Sequence, residues 1–500
     1  MQTSPQKSNM RARPAPQGVI AVCVLVCATV ALLALCVTTG LLPTAYLVLI
    51  TLVTAGLCML VYWMIRNQEH RGRQRIGLAL AVVLVIAYTI GGFYLWRTVH
   101  TVRSISNTAV ERSQVTFYVL ADHPAGTLGD LADGSFGILR ELDRTNTDAT
   151  LQRVESEHSL TLNTVEYDSL VYLADALESG EVDAIVLNEA YLALYEESPG
   201  YEDFPGQLKA ISTQQVEHVV ESETEPSGES SILNILISGS DTRADIIDQR
   251  GRSDVNIIVS INTETHEILL LSTPRDYYVP LDVGIEDAYD KLTHAGIYGM
   301  DVLMGTLENL YGINIDYYFR INFTGFVDIV DTLGGIEVYS AYDFTAGGNQ
   351  YTVGMNQLDG EAALTFARER HSFSEGDRQR GNNQMEVVKA VIQKAMSPTI
   401  LTRYLTILDS VQNCVDTNVP YSVISKLVRE QLESGASWQI ESFSVNGSDA
   451  RSTTYSMNQN LYVMIPDETT IEQAKDKLAT IGNEIAAEAS SDEAVGSPEE

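Results

Sequence analysis

Cysteine is scarce in this chain and poorly placed for cross-linking. The five are Cys23, Cys27, Cys36, Cys58 and Cys414. Four fall inside long apolar runs, so the region beyond residue 96 has no pair to form an intramolecular disulfide. Nor does any cysteine spacing fit a zinc site. Positive charge is also short, with 32 Lys and Arg against 66 Asp and Glu and a net charge of −34. Residues 1–96 hold seven basic side chains and one acid, Glu69. The rest of the chain is therefore six charges more negative than the whole, at −40. Such a surface repels nucleic acid, which excludes a DNA-binding regulator. It suits solubility in a cell envelope with divalent cations bound. No Ser-His-Asp pattern points to a covalent nucleophile.

Long apolar runs are what the first hundred residues do have. They extend from about Gly18 to Gly40, Leu41 to Ile65 and Gly77 to Trp96, all without a charge. Each has the roughly 20 residues a helix needs to cross a bilayer. Lys7, Arg11 and Arg13 precede the first run, and Arg66, Arg71, Arg73 and Arg75 separate the second from the third. Basic residues favour the cytoplasmic side, so the N-terminus is expected inside and everything after Trp96 outside.

The outer chain reads as two domains. A stalk (97–113) leads into a mixed α/β region, with a strand at "VTFYVL", a helix in "SLVYLADALESG", a strand at Ala184–Leu187 and another helix. An acidic segment rich in Ser, Pro and Gly, "ESETEPSGESS" (221–231), reads as a linker. Beyond it, "ILNILISGSD", "VNIIVSIN", "EILLLST", "YYFRINF" and "IEVYS" read as strands. Helices are expected at "MDVLMGTLENLYG" and "GFVDIVDTL", from Asp359 to about Arg370, and from about Asp377 to Ala395. Alternating strands and helices predict an α/β or α+β domain with a central mixed sheet flanked by helices. "WQIESFSV" and later helices complete it. The acidic tail from about residue 487 is expected to be disordered.

Arginines in this domain cluster at element ends. Arg252 and Asp254 precede a strand, Arg275 and Asp276 follow one, Arg368 and Arg370 end a helix, and Arg378 and Arg380 begin the next. Strand ends of α/β sheets are where such folds build sites. Asp377, Arg380 and Gln384 are spaced i, i+3, i+7 and project from one helix face. Guanidinium forks bind phosphate oxygens bidentately and stay charged. Asp241 and Asp254 end and begin neighbouring strands, and one or two carboxylates among phosphate-binding groups suit Mg²⁺. Many arginines with a few aspartates thus point to pyrophosphate with Mg²⁺. Ser238 and His294 are polar residues read as structural.

The blocks "LISGSDTR", "GRSDVNIIVSIN", "LLLSTPRDYYV", "KLTHAGIYG", "GFVDIVDTLGGIEV", "LDGEAALTFARER" and "GDRQRGNNQ" resemble the LytR–CpsA–Psr family of Gram-positive envelope proteins. The match covers about 232–396 closely, and the anchor and acidic accessory region look most like the capsule-linked members. The resemblance implies a transferase moving a glycopolymer from undecaprenyl pyrophosphate to peptidoglycan, with capsule the preferred polymer and wall teichoic acid or another secondary polymer the alternative. Asp241 and Asp254 would hold Mg²⁺ or Mn²⁺. Arg252, Arg275, Arg368, Arg370 and Arg380 would grip the pyrophosphate, with Lys291 and Gln384 beside them. Asp276 and Asp377 would orient those arginines or help take the acceptor proton. Apolar elements between would enclose the polyprenyl tail. A non-catalytic binder of carrier lipid and a pyrophosphate hydrolase would use the same arginines. One departure from the family is Asn383, where a second basic residue is usual; an extra one stands earlier, at Arg378. The expected organisation is a cytoplasmic N-terminus (1–17), three spans (18–96), stalk and accessory domain (97–220), linker (221–231), catalytic domain (232–486) and tail (487–500).

Overall fold

Apolar runs of this length close their own backbone hydrogen bonds as helices, because neither lipid nor a protein core supplies other partners. The computed structural model describes residues 16–66, 71–105, 110–158, 160–219, 231–240, 250–374, 376–396 and 415–481. In it the runs form α1 (Pro16–Thr39), α2 (Thr44–Arg66) and α3 (Arg71–Ile105). All three are long and apolar enough to cross a membrane. α3 starts before Gly77 and runs past Trp96, so much of the expected stalk is helix, and the stalk's last residues belong to a strand.

The chain divides into two compact units. One joins Met1–Ser104 to Pro420–Ala436, and the other holds Ile105–Val419 and Ser437–Glu500. The helix Tyr421–Ser434 therefore groups with the apolar helices, where the Tyr421 hydroxyl donates to the Thr39 carbonyl at 2.7 Å. The domain expected to run unbroken over 232–486 is interrupted there. The expected linker and acidic tail fall almost wholly outside the described residues.

The accessory domain is a five-stranded sheet in the order β3-β2-β4-β1-β5. Its elements are β1 (Val110–Leu120), β2 (Ser135–Leu139), α4 (Arg144–His158), β3 (Asn163–Tyr167), α5 (Leu170–Ser179), β4 (Ala184–Asn188), the five-residue α6 (Leu192–Glu196) and β5 (Leu208–Val219). α5 starts where the Ser169 hydroxyl accepts from the Tyr172 N–H and stops at Gly180, whose φ of 73° suits glycine. β5 pairs with β1 along its whole length but went unread in the sequence. Its "LKAISTQQVEHV" is a half-covered edge strand with little apolar alternation to betray it.

The second sheet is mixed and six-stranded, in the order β16-β11-β6-β7-β8-β17. Its strands are β6 (Ile232–Ser240), β7 (Val255–Asn262), β8 (Glu267–Ser272), β11 (Tyr317–Asn322), β16 (Val415–Thr417) and β17 (Gln439–Ser444). Short ribbons pair β9 (Tyr278–Pro280) with β10 (Tyr289–Lys291), β12 (Ile336–Ser340) with β15 (Gly354–Leu358), and β13 (Phe344–Ala346) with β14 (Asn349–Tyr351). The helices are α7 (Leu292–Tyr298), α8 (Met300–Tyr311), α9 (Phe323–Leu333), α10 (Gly360–Arg368) and α11 (Asp377–Ala395). α9 begins on an Asn322 cap and α10 on an Asp359 cap, each side chain accepting a backbone N–H three residues on. α10 ends at Arg368, two residues short of the expected Arg370.

The two faces of this sheet differ. On one, Leu236, Ile258, Leu269, Leu271 and Tyr318 share a continuous core with α7, α8 and the helix Glu468–Thr480. The same core takes in Tyr191, Leu194 and Tyr195 of the accessory domain. The other face carries Ile257, Val259, Ile268 and Leu270 under Met385 of α11. By register it also carries Leu233, Ile235, Ile237, Phe319 and Ile321, which are only half-buried.

Candidate active site at the sheet edge

β6 and β11 run parallel, as do β8 and β17, and β7 opposes β6 and β8. The C-terminal ends of four strands and the start of β7 therefore meet at one sheet edge, the usual place for a site in such folds. A cleft there is lined by Asp254, Arg275, Asp377, Arg378, Arg380 and Gln384, with Ser272, Thr273, Pro274, Gly381 and Ser444. Ser272 and Ser444 lie directly across β8 and β17, so the cleft adjoins the half-covered apolar face. α11 starts at Asp377 and brings its N-terminus there, with Asp377, Arg380 and Gln384 on one side as their spacing required.

Arg275 is the most heavily held of these groups. Its Nη1 donates to Asp254 Oδ1 at 2.6 Å, and its Nε lies 3.5 Å from Asp276 Oδ2. Burial opposes its charge, but Asp254 and Asp276 outweigh burial and push its pKa above the usual value. That Nε is buried and makes no hydrogen bond, an unspent donor at the edge of the cleft. Arg380 Nη2 sits 2.6 Å from Asp377 Oδ1, at an angle that leaves that oxygen without a hydrogen bond. Burial, with repulsion from Arg275 and Arg370, pushes the Arg380 pKa down; Asp377 and Asp254 oppose this. An anion entering the cleft would relieve that repulsion.

Asp276, Lys291, Arg252, Arg368 and Arg370 are not among the residues lining the cleft. Asp276 is nearly buried and bridges Arg275 to Lys291, whose Nζ is 3.4 Å from Asp276 Oδ1. Lys291 also donates to Glu197 Oε2 at 3.1 Å, and Arg252 Nη1 donates to Glu197 Oε1 at 2.6 Å. Glu197 comes from the accessory domain, and no sequence signal tied it to residues 252 or 291. Arg370 is exposed, close enough to act on the Arg380 charge. Arg368 is exposed with its guanidinium 4.4 Å from the Phe323 ring centroid. Arg378 lines the cleft and donates to the Gly447 carbonyl. Asn383 is buried, accepting from Gln379 Nε2 at 2.8 Å and donating to the Phe366 carbonyl. The departure from the family pattern thus falls on an inward-facing position, away from the cleft. Ser238 pairs with Ser253 at 2.7 Å, both buried, and His294 is buried against Asp290.

Asp241 lies outside the described residues; the strand before it ends at Ser240, where the Asp254 N–H donates to the Gly239 carbonyl. Among the described residues, no three His, Cys, Asp or Glu side chains gather as a metal cage. Asp254, facing the cleft, is a suitable carboxylate for Mg²⁺.

Residues 205–480 match the model of the LytR_cpsA_psr family. The chain is 34% identical over 196 residues to a protein of Enterococcus faecalis named polyisoprenyl-teichoic acid–peptidoglycan teichoic acid transferase TagU, a match covering 39% of this chain and 64% of that one. A protein of the same name from Halalkalibacterium halodurans is 35% identical over 238 residues, 47% of this chain and 75% of that one. The chain thus spans slightly less than two thirds of the Enterococcus relative. Among solved structures, Bacillus subtilis TagV is 30% identical, with a TM-score of 0.42 over 49% of this chain and 95% of that one. The family match extends over more than half of the sequence and takes in every residue of the cleft: the chain belongs to the LytR–CpsA–Psr family.

Proposed function

We propose that this protein transfers an envelope glycopolymer from a polyprenyl diphosphate carrier to peptidoglycan, forming a phosphodiester. The observation that carries the reading is the convergence of Arg275, Arg378, Arg380, Gln384, Asp254 and Asp377 on one cleft, with a half-covered apolar sheet face adjoining it. A diphosphate needs the first and a polyprenyl chain needs the second. Ile235, Ile237 and Phe319 on that face are the bed on which the lipid would lie. The relatives' names support a teichoic-acid-type polymer over capsule, and the three apolar helices with flanking arginines support an anchored chain whose second unit works outside the cell.

In the reaction the acceptor hydroxyl oxygen attacks the phosphorus nearest the sugar. The bond from that phosphorus to the bridging oxygen breaks, and polyprenyl phosphate leaves with the bridging oxygen. Arg275 and Arg380 grip the phosphate oxygens and neutralise the charge that builds on them. Asp377, which lines the cleft beside Arg380 whereas Asp276 does not, is the carboxylate assigned to take the acceptor proton. Asp276 holds Arg275 in position. Asp254, with Asp241 as its expected partner, would hold Mg²⁺, which would supply further positive charge against the diphosphate.

The test supplies the full chain in detergent micelles with lipid-linked glycan, Mg²⁺ and peptidoglycan fragments. Glycan joined to peptidoglycan is the expected product. Release of free glycan phosphate alone, or binding without turnover, would replace the transferase reading with a hydrolase or a lipid binder.

A further inference from the structure

The accessory domain places two carboxylates on the segment that leads into the site. Asp143 Oδ1 lies 3.5 Å from Arg250 Nη1, and Glu197 takes Arg252 and Lys291 on its two oxygens. All five side chains are at most about a fifth exposed, so these are not ordinary surface ion pairs. Asp143 is fixed in turn by amide donors from Asn146 at 2.6 Å and Asn188 at 2.8 Å. Burial opposes ionisation of Glu197, but nearby His294, Lys291 and Arg252 outweigh it and hold its pKa far below the usual range. His294 Nε2 is 4.0 Å from Glu197 Oε2, a contact of charge rather than a hydrogen bond.

The attachment is rigid. Tyr191, Leu194 and Tyr195, just before Glu197, are fully buried in the same core as Leu292, Ala295 and Tyr298, and the Tyr191 and Tyr298 rings meet edge to face at 5.8 Å. A removable lid would not share its core with the domain it covers. Glu197 also connects to the cleft through a short chain of charges: Lys291, then Asp276, then Arg275. It is close enough to act directly on the Arg275 charge.

We propose that the accessory domain is a working part of the diphosphate site, with Glu197 as a positioning residue that fixes Arg252 and Lys291 and, through Lys291 and Asp276, the aim of Arg275. This rests on the transferase reading above. A carboxylate between two cations lets both stay charged and close together, a geometry their mutual repulsion would otherwise open. It does so at the expense of net positive charge, so its effects on binding and on turnover have opposite signs.

The experiment compares the full chain in micelles with E197Q and E197D, using E166Q, an exposed accessory-domain carboxylate, as control. Inorganic pyrophosphate binding is measured by calorimetry, and transfer gives kcat and KM. In E197Q one negative charge leaves, so pyrophosphate should bind several-fold tighter while kcat falls about tenfold or more. E197D should recover part of kcat, and E166Q should match the wild type. A kcat within about twofold of wild type in E197Q overturns the proposal. So does parallel loss of melting temperature, binding and kcat in both Glu197 variants, which would make the carboxylate a structural counter-ion. If the wild type binds pyrophosphate but transfers no glycan, the transferase reading fails by itself. The binding arm then still decides Glu197: unchanged pyrophosphate affinity in E197Q would sever it from the anion site.

Discussion

Arg275→Met separates what Arg275 does for the fold from what it does for the reaction. The substitution keeps the length of the side chain and removes a guanidinium that is 17% exposed, from beside carboxylates that are 14% and 8% exposed. Asp276 keeps Lys291 at 3.4 Å, whereas Asp254, among the described residues, is left with a 3.4 Å hydrogen bond from the Thr293 hydroxyl and the more distant charge of Arg380. Removing one member of a buried pair costs about 3–5 kcal/mol, and partial compensation at Asp276 places this case near about 3 kcal/mol. For the large unit Ile105–Val419 with Ser437–Glu500, at an unfolding entropy of roughly 2.1 cal/mol/K per residue, that lowers Tm by roughly 4 °C. Adding Asp254→Asn removes the stranded charge, so the double variant should regain at least about half of the loss, a coupling that two independent sites would not show. Transfer should not return with it: without the guanidinium, kcat falls about 10²–10³-fold in both variants. Thermal melting and single-turnover transfer, run well below the lowered Tm, measure the two effects separately. The reasoning fails if Arg275→Met transfers glycan within about threefold of wild type, or if the double variant is no more stable than the single one.

Asp377→Asn should lower kcat about 10²-fold or more while leaving inorganic pyrophosphate affinity equal or tighter; a kcat within about threefold of wild type would exclude Asp377 as proton acceptor. Asn383→Arg places a charge where Asn383 is now buried between Gln379 and the Phe366 carbonyl, so it should destabilise by several kcal/mol in melting experiments rather than improve phosphate binding. His294 is faced by Asp290 at 2.7 Å, by Glu197 and by Lys291. Burial opposes its charge, but Asp290 and Glu197 raise its pKa above the usual 6.5. Its contribution to stability is therefore complete below about pH 6.5 and lost as pH rises through the raised value. Asp290, burial opposed by the charge and hydrogen bond of His294, lies below its usual 3.8, so its contribution is present above that value and lost only as pH falls through the lowered one. Tm should thus fall from about pH 6.5 upward in the wild type, and His294→Gln should flatten that slope.

Much of this architecture was legible from local pattern. Charge-free apolar runs of about 20 residues read as helices, so α1 to α3 were readable, though their ends were not: α3 continues to Ile105 because helical hydrogen bonding does not stop where hydropathy does. The strands β6, β7, β8 and β11 announced themselves as short apolar runs closed by turns. The spacing of Asp377, Arg380 and Gln384 fixed their common face once the helix was assumed.

What the chain could not disclose along its own length were pairings between distant segments. β5 became a strand only because β1 supplies its hydrogen bonds, and Tyr421–Ser434 left the second unit for the apolar helices. The sequence marked out phosphate-binding cations by residue type and position; which of them share a cleft is a matter of sheet order. β8 and β17 bring Ser272 and Ser444 together under α11, so Arg275, Arg378 and Arg380 meet, while Arg252 and Lys291 are taken by Glu197 from another domain. Residue type sets what a side chain can bind. Its partner depends on which strand ends the fold makes neighbours, and hydrogen bonding across the sheet settles that only after collapse.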